Sequence, residues 1–435
     1  MEPLLLGTIG SILLVVLILI GRLHIGVAML LVGFVGIVAL RGLVPALAVS
    51  ILWIHTCTFN YGLTVIPMFI LMGELAAAGG ASRLLNHASY CWLRGLPGGL
   101  ALSTIGASAL FGACSGSSMA ACATMSRIAV PEMSRYGYDR SLSLGSVAAG
   151  GTLAALIPPS VLVVIYCIMT QTSIGKGLMA GLIPGVLTMF MYMFIVILIT
   201  SLHPGLAPRA VALPWGERVR ALLEGLPMVA LIVLVLGGLL VGFFTPTESG
   251  AIGAAGALLI GLVRKALGPK GINASLIQAC KTSAMIFFIV IGAHVFTAFL
   301  ALTGVPFALA KLLVALNLPP LLVIGLMMLS YIGMGCILDP MGMLLLTLPI
   351  YFPVVMSLGF DSLWFCVLVV KVIEIGMITP PVGFNVYIVK ATVEGASLEE
   401  VFKGILWFLI VDLVTLTILV LFPQISLYLP GLMKR

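Results

Sequence analysis

Two short runs hold the residues whose types and spacing best suit binding of a small ion. The first is Gly112-Ala-Cys-Ser-Gly-Ser-Ser118, and the second is Leu156-Ile-Pro-Pro-Ser160; both lie inside long apolar stretches. Serine hydroxyls and carbonyls freed from a helix are hard oxygen donors, which suit a cation such as Na⁺. A proline pair removes two N–H donors and exposes the carbonyls behind it. In hydrocarbon, broken helix survives only inside protein or against a water-filled cavity. The same small residues also permit close helix packing, so position in the chain has to decide between the two uses.

Repetition supplies that decision. Gly335-Cys-Ile-Leu-Asp-Pro-Met341 answers the first run, and Ile378-Thr-Pro-Pro-Val-Gly-Phe-Asn385 answers the second. A spacing of 222 residues separates Pro158 from Pro380 and Pro131 from Pro353, and 223 separate Gly112 from Gly335. Landmarks in constant register imply two homologous halves, each with one apolar hairpin and one helix broken at Pro-Pro. Discontinuous helices at corresponding places in two halves are the sequence pointer to a secondary transporter. Asp339 is the only carboxylate between Lys311 and Asp361. A carboxylate at membrane depth is costly unless paired or ligated. Asp339 is therefore expected to coordinate a cation or to close the hairpin tip with hydrogen bonds. Thr379, Gly383 and Asn385 flank the second break and are placed to complete a site with it; Pro158, Pro159 and Ser160 stand likewise opposite the first tip.

The elements that must carry these residues are membrane helices. Of 435 residues, 62% are hydrophobic and 8% charged, with mean hydropathy +1.28. Apolar runs recur from end to end, which defines an all-α polytopic membrane protein. The net charge of +7 fits basic loops under the positive-inside rule, with no aromatic-basic stripe for a nucleic-acid face. Eight cysteines are scattered without a C-x-x-C, and the five histidines lie far apart, so no metal cluster is expected. The N-terminal apolar run has no basic segment before it and reads as a span, not a cleaved signal. Motifs for an ATP phosphate loop or a zinc protease are absent, and no cofactor is expected. Two rival classes keep a foothold: an intramembrane hydrolase using Ser115 with His294 as base, and a channel.

Spans are expected at 4–20, 24–43 and about 61–80, with a less regular, interfacial stretch at 44–60 and an amphipathic surface helix at 82–96. The first half (1–202) then holds a hairpin at about 98–133, a broken helix at about 141–171 and a span at 178–202. A polar linker at 203–223, cytoplasmic by its charge, leads to the second half (224–435). That half has spans at 225–243 and 247–264, a basic loop, and a span at 282–303. A hairpin at about 318–357, a broken helix at about 362–391 and a span at 404–422 follow. Arg94, Arg135 and Arg140 flank the first hairpin's base, which puts it on the cytoplasmic side and the second hairpin's base on the other. Both termini then fall outside. Among the remaining polar residues, Glu74 and Glu248 are expected within apolar spans as structural hydrogen-bond anchors or as coupling groups, and Lys371 with Glu374 as a pair on one helix. Arg127, on the return arm of the first hairpin, could attract an anionic substrate or snorkel to the cytoplasmic interface, the latter being favoured, and His294 and Asp412 stand as isolated polar groups.

Several of these segments resemble the large membrane subunit of tripartite ATP-independent periplasmic (TRAP) transporters. They are Ser115-Gly-Ser-Ser-Met-Ala, Ile128-Ala-Val-Pro-Glu-Met-Ser-Arg-Tyr-Gly-Tyr138, Ala148-Ala-Gly-Gly-Thr-Leu, Leu156-Ile-Pro-Pro-Ser160, Ser173-Ile-Gly, Ala180-Gly-Leu-Ile-Pro-Gly185, Thr245-Pro-Thr-Glu-Ser-Gly-Ala251 and Ile378-Thr-Pro-Pro-Val-Gly-Phe-Asn385. The resemblance covers nearly the whole chain. It implies an inverted-repeat, elevator-type, Na⁺-coupled importer in a bacterial inner membrane, surrounded by membrane lipid. It also implies a small four-helix membrane subunit and a periplasmic solute-binding protein that delivers a small organic anion. Carried onto this sequence, Ser115, Gly116 and Ser117 with Pro158 would serve one Na⁺ site, and Gly335, Asp339, Thr379 and Pro380 another. The substrate would sit between the tips against Ser118, Ser160, Gly383 and Asn385. Ala121 departs from the acidic residue that sialic-acid members often carry six positions after the first tip serine, so the substrate is left open.

Overall fold

The computed structural model describes residues 2–208, 213–308, 311, 318–335 and 338–433. Arg209, Cys336, Lys434 and Arg435 lie outside these ranges. An apolar chain in lipid has to close its own backbone hydrogen bonds, and here it does so as helix. Helices α1 (Pro3–Leu19), α2 (Ile25–Arg41), α3 (Leu43–Phe59), α4 (Val65–Ala78) and α5 (Ala81–Leu93) come first. The first hairpin has arms α6 (Gly99–Ser115) and α7 (Ser118–Arg135). Its broken helix consists of α8 (Arg140–Leu156) and α9 (Val161–Thr170), and α10 (Ile174–Leu202) follows. The second half opens with α11 (Trp215–Val241), α12 (Pro246–Val263) and α13 (Pro269–Thr303). The second hairpin pairs Pro320–Gly335 with Pro340–Ser357, and the second broken helix pairs Ser362–Ile378 with Phe384–Thr392. Helices Leu398–Leu421 and Gln424–Leu432 close the chain. Among the described residues, eight helices are long and apolar enough to cross a membrane. This is a multi-pass membrane protein.

Four stretches differ from the sequence reading. Residues 44–60 are regular, because Pro45 falls in the first turn of α3, where its missing N–H is no loss. The loop expected at 264–281 is largely helix: α13 starts at Pro269 and runs for 35 residues. Its basic residues extend an apolar helix beyond the span. In the same way α11 begins at Trp215, inside the expected linker. A short last helix, Gln424–Leu432, has no counterpart in the sequence reading.

Each break has a local cause. Gly116 ends α6 with φ 60°, a left-handed conformation that glycine adopts without strain, and its N–H returns to the Gly112 carbonyl. Ser117 then stands in extended backbone, and its hydroxyl accepts from the Ala120 N–H at 3.4 Å to start α7. Asp339 does the same for Pro340–Ser357, accepting from the Gly342 N–H at 3.2 Å, with Pro340 at the first helical position. Ile157 and Thr379 are extended where the two broken helices stop, and Ser160 caps α9 through the Val163 N–H at 3.3 Å. Both Pro-Pro bonds, 158–159 and 380–381, are cis.

Packing divides the helices into two groups. In one, α13 lies against α2, α3 and α4, α12 against α4 and α11, and α1 against α2. In the other, α8 is surrounded by α6, α7 and Leu398–Leu421, and Ser362–Ile378 by both arms of the second hairpin. The groups meet where α4 touches α6 and where α13 touches Pro340–Ser357, while α5 bridges α11 and α6.

Each hairpin rests on the broken helix of its own half at matching positions. A Cβ built on Gly112 would stand 2.5 Å from the Ala154 Cα, and one on Gly335 would stand 2.7 Å from the Gly376 Cα. Backbone cannot yield as a side chain would. Gly376→Val is therefore expected to cost at least about 1–3 kcal/mol, read as a fall in unfolding temperature. Gly325→Ala, with nothing within 4 Å of its Cβ position, is expected to leave that temperature unchanged or raise it.

Candidate functional site

Both hairpin tips border one cavity of about 880 Å³. That volume suits a small-molecule site, for which about 300–1,000 Å³ is usual. The first tip contributes Ser115, Gly116, Ser117 and Ser118, and the second contributes Asp339, Pro340 and Met341. The opposite wall belongs to the other packing group: Ile70, Gly73, Glu74 and Ala77 of α4, and Gln278, Thr282, Met285, Ile286 and Ile289 of α13. These follow helical spacing, so one face of each helix is turned to the cavity. Arg22, Leu23 and His24, in the loop between α1 and α2, line its rim. On α7 the lining face runs through Ala120, Ala123 and Thr124 to Arg127.

The predicted site residues divide accordingly. Ser115, Gly116, Ser117, Ser118 and Asp339 come together on the cavity wall. Pro158, Ser160, Gly335, Thr379, Pro380, Gly383 and Asn385 are not among the lining residues. Pro158 and Ser160 are nonetheless adjacent to the tip, because a Cβ on Gly116 would meet the Pro159 carbonyl. Thr379 donates its hydroxyl to the Ile375 carbonyl at 2.6 Å. Gly383, with φ 63°, turns the chain into Phe384–Thr392. Asn385 is fully buried, and among the described residues neither its amide oxygen nor its amide nitrogen has a hydrogen-bond partner. Ser115 Oγ is likewise buried without a partner among the described residues. Buried polar groups are seldom left so.

Other polar residues sit differently from expectation. Lys371 does not pair with Glu374. Its ammonium bonds Asp412 on the last long helix, and both side chains are 1% exposed. Tyr192 of α10 donates to Asp412 at 2.7 Å, with Thr152 of α8 at 3.1 Å from the Tyr192 hydroxyl and Thr188 accepting from Lys371 at 3.4 Å. Glu374 instead accepts from the Ser118 hydroxyl at 3.1 Å, across to the first hairpin. Spacing of three on one helix permits a pair but does not enforce it, and packing supplied nearer partners. Arg127 is exposed to the cavity and does not only reach for the interface. Glu74 lines the cavity as well. Glu248 is the third residue of α12, and its carboxylate closes a capping box on Thr245; it is no anchor inside a span. His294 stacks on Trp53, ring centroids 4.0 Å apart, and makes no hydrogen bond to Ser115. The hydrolase pairing therefore has no geometric basis.

Two hairpin tips that converge on one solute-sized cavity between two groups of membrane helices are the arrangement of a membrane transporter. Residues 12–425 match the family described as "Tripartite ATP-independent periplasmic transporter, DctM component". The chain belongs to that family. It is 35% identical over 383 residues to the C4-dicarboxylate TRAP transporter large permease protein DctM of Pseudomonas aeruginosa, covering 86% of this chain and 87% of that one. It is 30% identical over 375 residues to the sialic acid TRAP transporter large permease protein SiaM of Vibrio cholerae, covering 86% and 87%. Among solved structures, the YdaH transporter of Alcanivorax borkumensis is similar in fold, with TM-score 0.55, 15% identity and 84% and 85% coverage. MtrF of Neisseria gonorrhoeae is also similar, with TM-score 0.57, 13% identity and 97% and 95% coverage.

Proposed function

We propose that this large permease subunit imports a small organic anion, a carboxylate, together with Na⁺. The observation that carries the reading is the convergence of Ser115–Ser118 and Asp339 on one cavity that also exposes Arg22 and Arg127. Oxygen donors at the tips suit Na⁺, and the two guanidinium groups suit an anion. The partners are a small four-helix membrane subunit and a periplasmic solute-binding protein that hands over the solute, as the large-permease names of the relatives suggest.

The membrane is the bacterial inner membrane, with both termini periplasmic. In that orientation the loop between α1 and α2 is cytoplasmic, so the cavity opens inward. Transport then consists of a rigid displacement of the group containing both hairpins against the group of α1–α4 and α11–α13. Coupling energy comes from the ion gradient and the membrane potential, at about 2.3 kcal/mol per charge per 100 mV.

Uptake of labelled succinate into liposomes holding both membrane subunits tests this. With the binding protein outside, uptake is expected under an inward Na⁺ gradient and not under an equal K⁺ gradient. Arg127→Ala is expected to reduce it at least ten-fold, the loss of one charge-assisted contact. Equal uptake in the two gradients would remove Na⁺ coupling, and uptake independent of the binding protein would favour a one-component symporter.

A further inference from the structure

We propose that α5, α11 and α12 form a binding site for an anionic phospholipid of the cytoplasmic leaflet, held by Arg218, Arg220, Arg264 and Lys265. The proposal rests on the orientation given above, which places this end of the helices inside the cell. The three arginines gather where α11 packs against α5 and α12. Arg264 donates through Nη1 to the Glu224 carbonyl of α11 at 2.5 Å, and Lys265 follows it in the chain. One turn earlier on α11, the Arg220 Nε meets the Glu224 carboxylate at 3.4 Å. The Arg218 Nε donates to the Leu213 carbonyl at 2.8 Å, and its guanidinium carbon stands 5.6 Å from the centre of the Trp215 ring. Each guanidinium is thus held through one nitrogen, and among the described residues its other N–H groups have no protein acceptor. Guanidinium donors form a planar fork, which matches the paired oxygens of a phosphate. Glu217 and Glu224 are the carboxylates of this stretch, and Arg220 already engages Glu224, so the balance is positive.

Depth selects a lipid over a soluble anion. From Val219 onward the outer surface of α11 is apolar, with Leu222, Leu223 and Leu226 exposed. Helix α12 likewise keeps Leu262 and Val263 exposed up to its last residue, and Arg264 and Lys265 come directly after. Both helices therefore leave the hydrocarbon beside the arginines; Arg218 and Leu222 are about 6 Å apart along the axis. Trp92 of α5 and Trp215 mark the same level. Their rings meet edge to face at 5.8 Å, and the Trp92 indole N–H donates to the Arg218 carbonyl at 3.2 Å. Tryptophan favours the headgroup boundary. A phospholipid bound there meets the cations with its phosphate and the exposed leucines with its acyl chains, whereas a free anion meets only the cations. Basic pockets between helices on the cytoplasmic side are suited to anionic headgroups. Helices α11 and α12 belong to the stationary group, so a lipid held there fixes that group in the bilayer while the hairpins move.

The test uses the purified permease with its small subunit in detergent. Binding of fluorescently labelled cardiolipin is read by anisotropy, with unlabelled cardiolipin, phosphatidylglycerol, phosphatidylcholine and inorganic phosphate as competitors. The two anionic lipids are expected to displace the label at concentrations roughly ten-fold or more below phosphatidylcholine. Arg220→Gln with Arg264→Gln is expected to weaken cardiolipin binding roughly twenty-five-fold, about five-fold for each cation removed. Arg220→Gln with Lys265→Gln should do the same while keeping the Arg264 bond to α11, which covers a first variant that fails to fold. Phosphatidylcholine competing as well as phosphatidylglycerol, or affinities unchanged in both variants, would overturn the proposal. Inorganic phosphate competing as well as phosphatidylglycerol would make this a free-anion site and overturn it too. The side of the membrane is read separately, with a membrane-impermeant thiol reagent on oriented vesicles. Lys265→Cys should gain label over the unaltered protein from the cytoplasmic face alone. Extra label from the periplasmic face would overturn the orientation, and the leaflet assigned here with it, whatever the lipid affinities.

Discussion

Asp412→Ala is expected to destabilise the folded protein by about 3–5 kcal/mol, because it strands a charge in the membrane interior. Lys371 and Asp412 are each 1% exposed and in direct contact, and Tyr192 donates to the same carboxylate. Together with Thr152 and Thr188 they join α8, α10, Ser362–Ile378 and Leu398–Leu421. Among the described residues, removing the carboxylate leaves the Lys371 ammonium with the Thr188 hydroxyl and the face of the Tyr192 ring, 5.7 Å from its centroid, as its near partners. It also takes the acceptor from Tyr192. The loss should therefore greatly exceed that of one neutral hydrogen bond, about 1 kcal/mol. The pair itself need not stabilise, since desolvation offsets much of its attraction. Lys371→Met combined with Asp412→Leu is accordingly expected to recover most of the loss. Unfolding temperatures of the two forms decide the matter: a double variant no better than Asp412→Ala would mean that the cost lies in packing and not in the stranded charge.

This network also marks where sequence reading stopped. Breaks in apolar helices were legible because clusters of glycine, serine and proline interrupt apolar runs more sharply than close helix packing requires. Their recurrence at a spacing of 222 then tied Pro158 to Pro380 without any knowledge of contacts. The same logic gave both hairpins to within a few residues of Gly99–Arg135 and Pro320–Ser357. Partnerships across helices were not legible. Lys371 lies 41 residues from Asp412 and 179 from Tyr192, and spacing reports only neighbours on one helix. Glu374 is a second example. Its partner, Ser118, lies on the opposite hairpin, and only the packing of the two halves brings them together. Arg127 was left between two uses, since an arginine near the end of an apolar arm has the same sequence signature whether it faces lipid headgroups or a wet cavity.

Na⁺ should raise the unfolding temperature through Asp339, and Asp339→Asn should abolish that rise while leaving the protein otherwise intact. Asp339 has two uses that have to be separated. It caps Pro340–Ser357 by accepting from the Gly342 N–H, and it lines the cavity beside the first tip. Asparagine is as good a cap as aspartate, whereas alanine forfeits about 0.5–2 kcal/mol. In choline chloride, Asp339→Asn is thus expected to unfold near the unaltered protein and Asp339→Ala below it. In NaCl at 100 times the ion's dissociation constant, the unaltered protein gains about 2.7 kcal/mol. Both variants should lose that increment, because the amide and the methyl group alike lack the charge that holds a cation. Ser115→Ala sharpens the test. The Ser115 hydroxyl is buried without a partner among the described residues, so removing it should cost little in choline. If it donates an oxygen to Na⁺, the increment in NaCl should still shrink. An undiminished Na⁺ increment in Asp339→Asn and Ser115→Ala would place the ion away from the tips, and the cavity would then serve the solute alone.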